Sequence, residues 1–217
     1  MSKQFYFIKM PNKVYSNKLL KIGDVFTPLK WANFAIEKYD IYTQWIDGAS
    51  VFDPTMGNGN LLSSLIEYGI SKGKLISELP TEKLFGNELN KEYYREAIAF
   101  FKAKYQIDLS SNFTNEDFLL LPETKYDIVF GNPPWGNFNN LPQEYKPFIK
   151  GVFEQYDLIT SKKSLLLGCS RMDIAALIIA KVMKDFLVSK GNAYFFAPLS
   201  LLLNEGAHNS FRKFKIH

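Results

Sequence analysis

One cysteine, Cys169, and two histidines, His208 and His217, are all the thiol and imidazole that the 217 residues provide. A lone cysteine excludes an internal disulfide, and with so few soft ligands a zinc site lacks its parts, so no metal is expected. Arginine is almost as scarce. Arg95, Arg171 and Arg212 stand in a chain whose net charge of +4 is carried mostly by lysine. Readers of DNA sequence rely on arginine, whose fork grips guanine bidentately, so base reading is not the strength of this chain. No stretch approaches the roughly 18 uncharged apolar residues of a membrane span, and no membrane partner is expected. The opening Met1-Ser-Lys-Gln-Phe-Tyr-Phe-Ile-Lys-Met10 lacks an apolar signal core and a small-residue cleavage site. Together with the thiol-poor composition this makes a cytoplasmic protein the expectation. A Ser/His/Asp triad, a Gly-Lys-Ser/Thr phosphate loop and paired catalytic carboxylates are also missing, which leaves hydrolase and kinase chemistry without their parts.

What the chain does have is apolar bulk: 47% of its residues are hydrophobic and 16% aromatic, with 22% charged. That is enough for one domain with a full core. Strands alternate with helices along the sequence, which predicts an α/β fold, a doubly wound and mostly parallel sheet covered on both faces. Gly48–Asp53 and Lys83–Glu88 read as strands, followed by helices over about 60–68 and 90–105. In the second helix Tyr94, Ile98, Phe101 and Tyr105 form an apolar stripe, Asn90 suits the cap, and Glu92 suits the positive end of the dipole. Phe113–Asp117 and Tyr126–Gly131 read as the third and fourth strands. Residues 136–165 look like an irregular loop over a site, Met172–Val188 like a buried helix, and Asn192–Ala197 like a fifth strand. In such sheets ligands bind beyond the carboxyl ends of the strands, where strand order reverses, which singles out Asp53, Glu88, Asp117 and Asn132.

Each of these residues offers specific chemistry. In Asp53-Pro54-Thr-Met-Gly57-Asn-Gly59-Asn60 the glycines allow close backbone approach at a helix start, while an acid at the strand end suits a cationic group such as a methionine amine. As a bare pattern it is equally an ordinary tight turn. Glu88 suits the two hydroxyls of a ribose, or is a plain surface glutamate. It lies 29 residues past Gly59, so the connection over 71–82 must be long. Asp117 and Phe118 suit an adenine, the acid accepting from its amino group and the ring packing on its face. Asn132-Pro133-Pro134-Trp135 is the sharpest signal. The proline pair fixes a rigid, extended backbone, so the Asn132 side-chain oxygen and the Pro133 carbonyl can hold the amine of a planar base lying against Trp135.

In this order the pieces resemble the amino-methylating DNA methyltransferases that use S-adenosylmethionine, in particular the gamma-class adenine-N6 enzymes of restriction–modification systems. The resemblance covers roughly residues 23–213. Gly23-Asp-Val-Phe26-Thr27-Pro28 looks like the family's N-terminal cofactor motif and Asp53–Leu62 like its Asp-Pro-x-x-Gly-x-Gly pattern. Gly86-Asn-Glu88 looks like the ribose acid and Asn115–Phe118 like the adenine segment. Asn132–Trp135 matches the catalytic motif, and Asp173 and Ala197-Pro-Leu-Ser200 fall in the two motifs that follow. The resemblance implies a Rossmann-like domain over 23–217 after an N-terminal extension over 1–22. It implies S-adenosylmethionine bound by Phe26, Thr27, Pro28, Asp53, Pro54, Gly57, Gly59, Glu88, Leu89, Asp117, Phe118 and Asn132. A DNA adenine flipped onto Trp135 would be held by Asn132 and Pro133, with Pro134 stiffening the turn. Methylation of ribosomal RNA or of a release-factor glutamine is the alternative, and a cofactor-binding subunit with a separate DNA-reading partner is another. The family's later motifs and its target-recognition domain would lie past His217, so the expectation is a catalytic part with an incomplete sheet edge. It would work with a recognition domain or subunit, or with a linked restriction endonuclease.

Overall fold

The computed structural model describes residues 27–159, 172–203 and 208–213. Phe26, the expected extension over 1–22, Cys169 and Arg171 lie outside the described residues. Five parallel strands form the sheet: β1 (Val51–Asp53), β2 (Leu84–Asn87), β3 (Phe113–Thr114), β4 (Tyr126–Gly131) and β5 (Leu187–Phe195), in the order β3-β2-β1-β4-β5. The chain works outward from β1 to β3, returns to lay β4 beside β1, and then continues to β5. Strand order therefore reverses between β1 and β4, and Asp53 and Asn132 stand at that crevice.

Alternation along the central strands sorts the core onto two faces. Val51, Ile128 and Phe130 point into one buried cluster, shared with α1 (Leu29–Lys38), α2 (Ile41–Ile46), α3 (Asn60–Ser71) and α4 (Lys91–Tyr105). Phe52 and Val129 point into the other, shared with α5 (Lys146–Gln155) and α6 (Ile174–Lys181). A strand with period-two alternation can feed both layers only if both faces are covered, which is the doubly wound arrangement the sequence predicts.

Helix α4 starts where its cap chemistry places it: the Asn90 side chain accepts from the Glu92 amide at 2.9 Å. Phe101 and Tyr105 of its apolar stripe are buried, together with Ala97. The long connection after α3 folds into two 3₁₀ turns, Ile76–Glu78 and Thr81–Lys83, and the buried Trp45 indole donates to the Pro80 carbonyl there at 3.1 Å.

Two expectations are corrected. The stretch expected to be irregular contains α5, with Ile149, Val152 and Phe153 buried at helical spacing. Pro147 sits in its first turn, where proline's missing amide costs nothing, and Gly151 breaks the pattern that would have revealed it. The apolar run Met172–Val188 is not one helix. α6 ends at Lys181, a π-helical turn spans Val182–Phe186, and β5 begins at Leu187, five residues earlier than expected. A buried helix and a buried strand are both continuously apolar, so periodicity cannot separate them. The register of β5 on β4 shifts between Tyr126 and Ile128, where Gly191 passes so close to the Asp127 carbonyl that a Cβ would sit 2.8 Å from it. Past β5 lie the short helices α7 (Ser200–Leu203) and α8 (Asn209–Arg212).

Candidate functional site

A cleft opens at the carboxyl ends of β1, β2 and β4. Thr27, Asp53, Gly57, Glu88, Leu89, Asp117, Phe118, Asn132 and Pro134 all line it. Residues 105 positions apart in sequence are thus brought to one site.

The glycine loop is closed by Glu88. One carboxylate oxygen accepts from the Gly57 amide at 2.8 Å and the other from the Asn90 amide at 2.6 Å. The acid therefore fixes the loop after β1 to the loop after β2, and a carboxylate with about four lone-pair directions retains acceptor capacity for a hydroxyl. Gly59 lies at φ +83°, and a Cβ there would meet the Phe101 ring at 2.7 Å. Its contribution is close packing of α3 on α4; it does not line the cleft. Pro54 is also set back, and its carbonyl accepts from Asn87 at 3.2 Å.

Asp53 is 1% exposed and accepts the Thr55 amide at 3.1 Å. Burial pushes its carboxyl up to about 8, the Thr55 amide opposing and the nearby Glu88 charge adding to the rise. An acid so placed is relieved by a cation docking against it. Asp117 caps the 3₁₀ turn Phe118–Leu120, accepting from the Leu119 amide at 3.0 Å, and its second oxygen accepts from the Tyr145 hydroxyl. Burial raises this carboxyl too, against the lowering effects of Tyr145, Leu119 and Lys181. Phe118 is buried against Phe52 and Phe186.

At the crevice itself, Asn132 Nδ2 donates to Thr27 Oγ1 at 3.0 Å, and the Asn132 carbonyl accepts from Thr55 Oγ1 at 3.3 Å. Thr27, expected as a cofactor contact, thus holds the asparagine of the Asn132–Trp135 turn. Pro28 stands at the N-cap of α1, and neither it nor Pro133 lines the cleft. Trp135 lies outside the cleft, 42% exposed, its indole donating to the Phe196 carbonyl at 3.3 Å. The loop past it is fastened by backbone bonds to the segment before α6: Ile174 donates to Gly136 at 2.8 Å and Phe138 to Met172 at 2.9 Å. Asp173, between them, accepts from Ser200 Oγ at 3.0 Å and lies 3.2 Å from His208 Nε2. The buried imidazole is held below its ordinary pKa by desolvation, Asp173 opposing.

Sequence reasoning missed two residues. Asn87, 1% exposed, donates to the Pro54 and Glu116 carbonyls and accepts from Thr114 Oγ1 at 2.8 Å, tying together the loops after β1, β2 and β3. Its one signal was its place between Gly86 and Glu88. Tyr145 lines the cleft beside Leu141 and Ile149, and that four-residue spacing was legible. Among the described residues no helix is long and apolar enough to cross a membrane, and no group of three or more His, Cys, Asp and Glu is placed to hold a metal ion.

Comparison with known proteins agrees with this arrangement. The modification methylase CviBIII of Paramecium bursaria Chlorella virus NC1A is 29% identical over 118 residues, which are 54% of this chain and 27% of that protein. The chain therefore spans about a quarter of the length of this curated relative. Solved structures share the fold: a nuclease-deletion mutant of the type ISP restriction-modification enzyme LlaGI in complex with a DNA substrate mimic (TM-score 0.65, 18% identity, 88% of this chain and 19% of that one). The type I restriction-modification methyltransferase subunit from Streptococcus thermophilus is similar as well (TM-score 0.59, 20% identity, 92% and 39%). The N-6 DNA methylase family profile matches residues 8–162, most of the chain. With that match and a Rossmann-like sheet presenting Asp53, Glu88, Asp117 and Asn132 to one cleft, the chain belongs to the N-6 DNA methylase family.

Proposed function

We propose that this chain is the cofactor-binding and catalytic part of an enzyme that transfers a methyl group from S-adenosylmethionine to the exocyclic N6 of adenine in DNA, as in restriction–modification. The observation that carries the reading is the convergence of Asp53 and Asn132 on the two sides of the strand-order reversal, in a cleft shared with Glu88 and Asp117.

The donor set fits S-adenosylmethionine. A buried carboxyl with a raised pKa calls for the methionine amine, an acid at the end of β2 suits ribose hydroxyls, and Asp117 with Phe118 suits the adenine. When bound, the cofactor supplies an electrophilic methyl group on a sulfonium. The rest falls to the chain. Thr27 occupies Asn132 Nδ2, so Oδ1 is the acceptor that the Asn132 side chain contributes to the base. The Pro133 carbonyl is the second acceptor, kept out of helical bonding by the two prolines. Both acceptors draw on the protons of the exocyclic amine and aim its lone pair into the cleft. Trp135, at the outer edge with its indole N–H anchored on Phe196, offers its face to an extruded base. Catalysis on this reading is positioning and electrostatic arrangement.

Residues 23–217 form the methyltransferase domain on this reading, and DNA recognition comes from a further domain or a partner subunit. Scarcity of arginine supports that division, as does the type I methyltransferase subunit among the fold's relatives. On this reading the protein acts on DNA in the cytoplasm. The test is transfer of radiolabelled methyl from S-adenosylmethionine to a mixture of unmethylated DNA, ribosomal RNA and cell protein. Label in DNA adenine is the expected outcome. Label in RNA or protein moves the acceptor and overturns the adenine assignment, and transfer restored only by a second subunit identifies the recognition partner.

A further inference from the structure

The cleft has a wall that none of the cofactor motifs provides. Leu141, Tyr145 and Ile149, spaced by four residues through the start of α5, all line it. Tyr145 is buried, and its ring packs at 5.3 Å from Phe148. Its hydroxyl reaches across to Asp117, 28 residues earlier in the chain, and donates to the carboxylate oxygen that the Leu119 amide does not hold. Lys181 of α6 completes the enclosure. Its Nζ donates to the Leu121 carbonyl at 3.0 Å, lies 5.8 Å from the Phe118 ring centre, and is itself held by Asp185 at 3.2 Å.

The charged and titratable groups that face Asp117 are therefore Tyr145 at the N-cap of α5, Lys181 from α6 and the neighbouring Glu116. Burial and Glu116 favour the neutral carboxyl, while Tyr145, the Leu119 amide and Lys181 favour the carboxylate. The choice has a chemical consequence. A carboxylate only accepts hydrogen bonds, whereas a carboxylic acid also donates one. The 6-amino group of adenine needs an acceptor, and the 6-oxo group of hypoxanthine needs a donor.

We propose that Tyr145 is the specificity-determining residue of the purine subsite: by donating to Asp117 it keeps that side chain an acceptor, so the cleft takes a 6-aminopurine cofactor and refuses a 6-oxopurine one. This rests on the assignment of the cleft to S-adenosylmethionine. Position 145 acts by chemistry rather than bulk, because phenylalanine would fill the same space.

Calorimetric titration of the full 217-residue chain with S-adenosylhomocysteine and S-inosylhomocysteine tests it. Wild type should prefer the adenosyl compound by about 100-fold or more, the scale on which a site with a committed polar partner rejects a mismatched one. Tyr145→Phe should bring the two within about tenfold. The pH below which the inosyl compound begins to bind should be higher in Tyr145→Phe than in wild type. Asp117→Asn, whose amide both accepts and donates, should take both compounds at every pH, and adding Tyr145→Phe to it should leave the ratio unchanged. Equal weakening of both compounds by Tyr145→Phe, with the wild-type ratio retained, would make the residue merely structural and overturn the proposal. Wild type that binds neither compound would overturn the cofactor assignment, and this inference with it.

Discussion

The two halves of the cleft are built differently. On the β1-β2-β3 side every proposed cofactor acid is held by backbone. Glu88 is gripped by the Gly57 and Asn90 amides, Asp53 by the Thr55 amide and Asp117 by the Leu119 amide, with Asn87 binding the three loops to one another. On the β4-β5 side the groups rest on side chains and edges. Asn132 hangs on the Thr27 hydroxyl, Trp135 is 42% exposed, and β5 is reached through a π-helical turn and a register shift. Backbone amides cannot rotate away and cost little entropy to align, so they suit a ligand that is the same at every turnover. An acceptor that must be admitted from a duplex needs an open, adjustable rim, and a site of that kind is drawn from the less tightly packed part of a fold.

Substitutions that separate the halves will break or sharpen this contrast. The largest effect is expected from Asn132→Ala, which should lower methyl transfer by at least about 10²-fold, the scale for a lost polar contact at the reacting group. Cofactor affinity should stay within about tenfold, or about 1.4 kcal/mol, in a binding titration. Equal loss of both would place Asn132 in the cofactor half. Glu88→Ala should do the reverse. It removes the acceptor of two amides and the proposed ribose contact, and cofactor affinity should fall by roughly 10²-fold while kcat at saturating cofactor changes less. Unchanged affinity would show that the acid only shapes the loop.

Gly59→Ala probes the packing beneath the cofactor half. The positive φ and the Phe101 ring at 2.7 Å from the new Cβ should cost about 1–3 kcal/mol in urea unfolding. Trp135→Ala belongs to the other half. Loss of a stacking face should cost about 1–3 kcal/mol, seen in kcat/KM for DNA and absent from cofactor binding.

A further distinction between the halves is a pH dependence. Asp53 carries a proton below about 8 in the ligand-free protein, its pKa being raised from 3.8. A cation docking there favours the ionised form, so binding releases a proton at lower pH and affinity rises with pH. The rise should reach up to about tenfold per pH unit between about 6 and 8 and flatten above. Asp53→Asn should abolish that slope while Asn132→Ala retains it.

Much of the cofactor half was legible in the sequence because its parts are local. Asn90 caps a helix, Gly59 meets a positive φ, and Asp53, Glu88 and Asp117 each end or follow a short strand. Such signals lie within a few residues of the group they place. The stretch from Gly136 to Phe195 was less legible, since Gly151 interrupts the apolar pattern of the continuous helix α5 and the change from α6 to β5 occurs inside one apolar run. What the sequence determined by itself is the strand–helix alternation, the residues at the strand ends and the rigid Asn132–Trp135 turn, all set by backbone preference and periodicity. Only the tertiary structure decided that Tyr145 meets Asp117, that Thr27 holds Asn132 and that Asn87 joins three loops. Those contacts link residues 28 to 105 positions apart, and no local preference specifies a partner at that distance. Packing of the two helical layers on one parallel sheet brings them together.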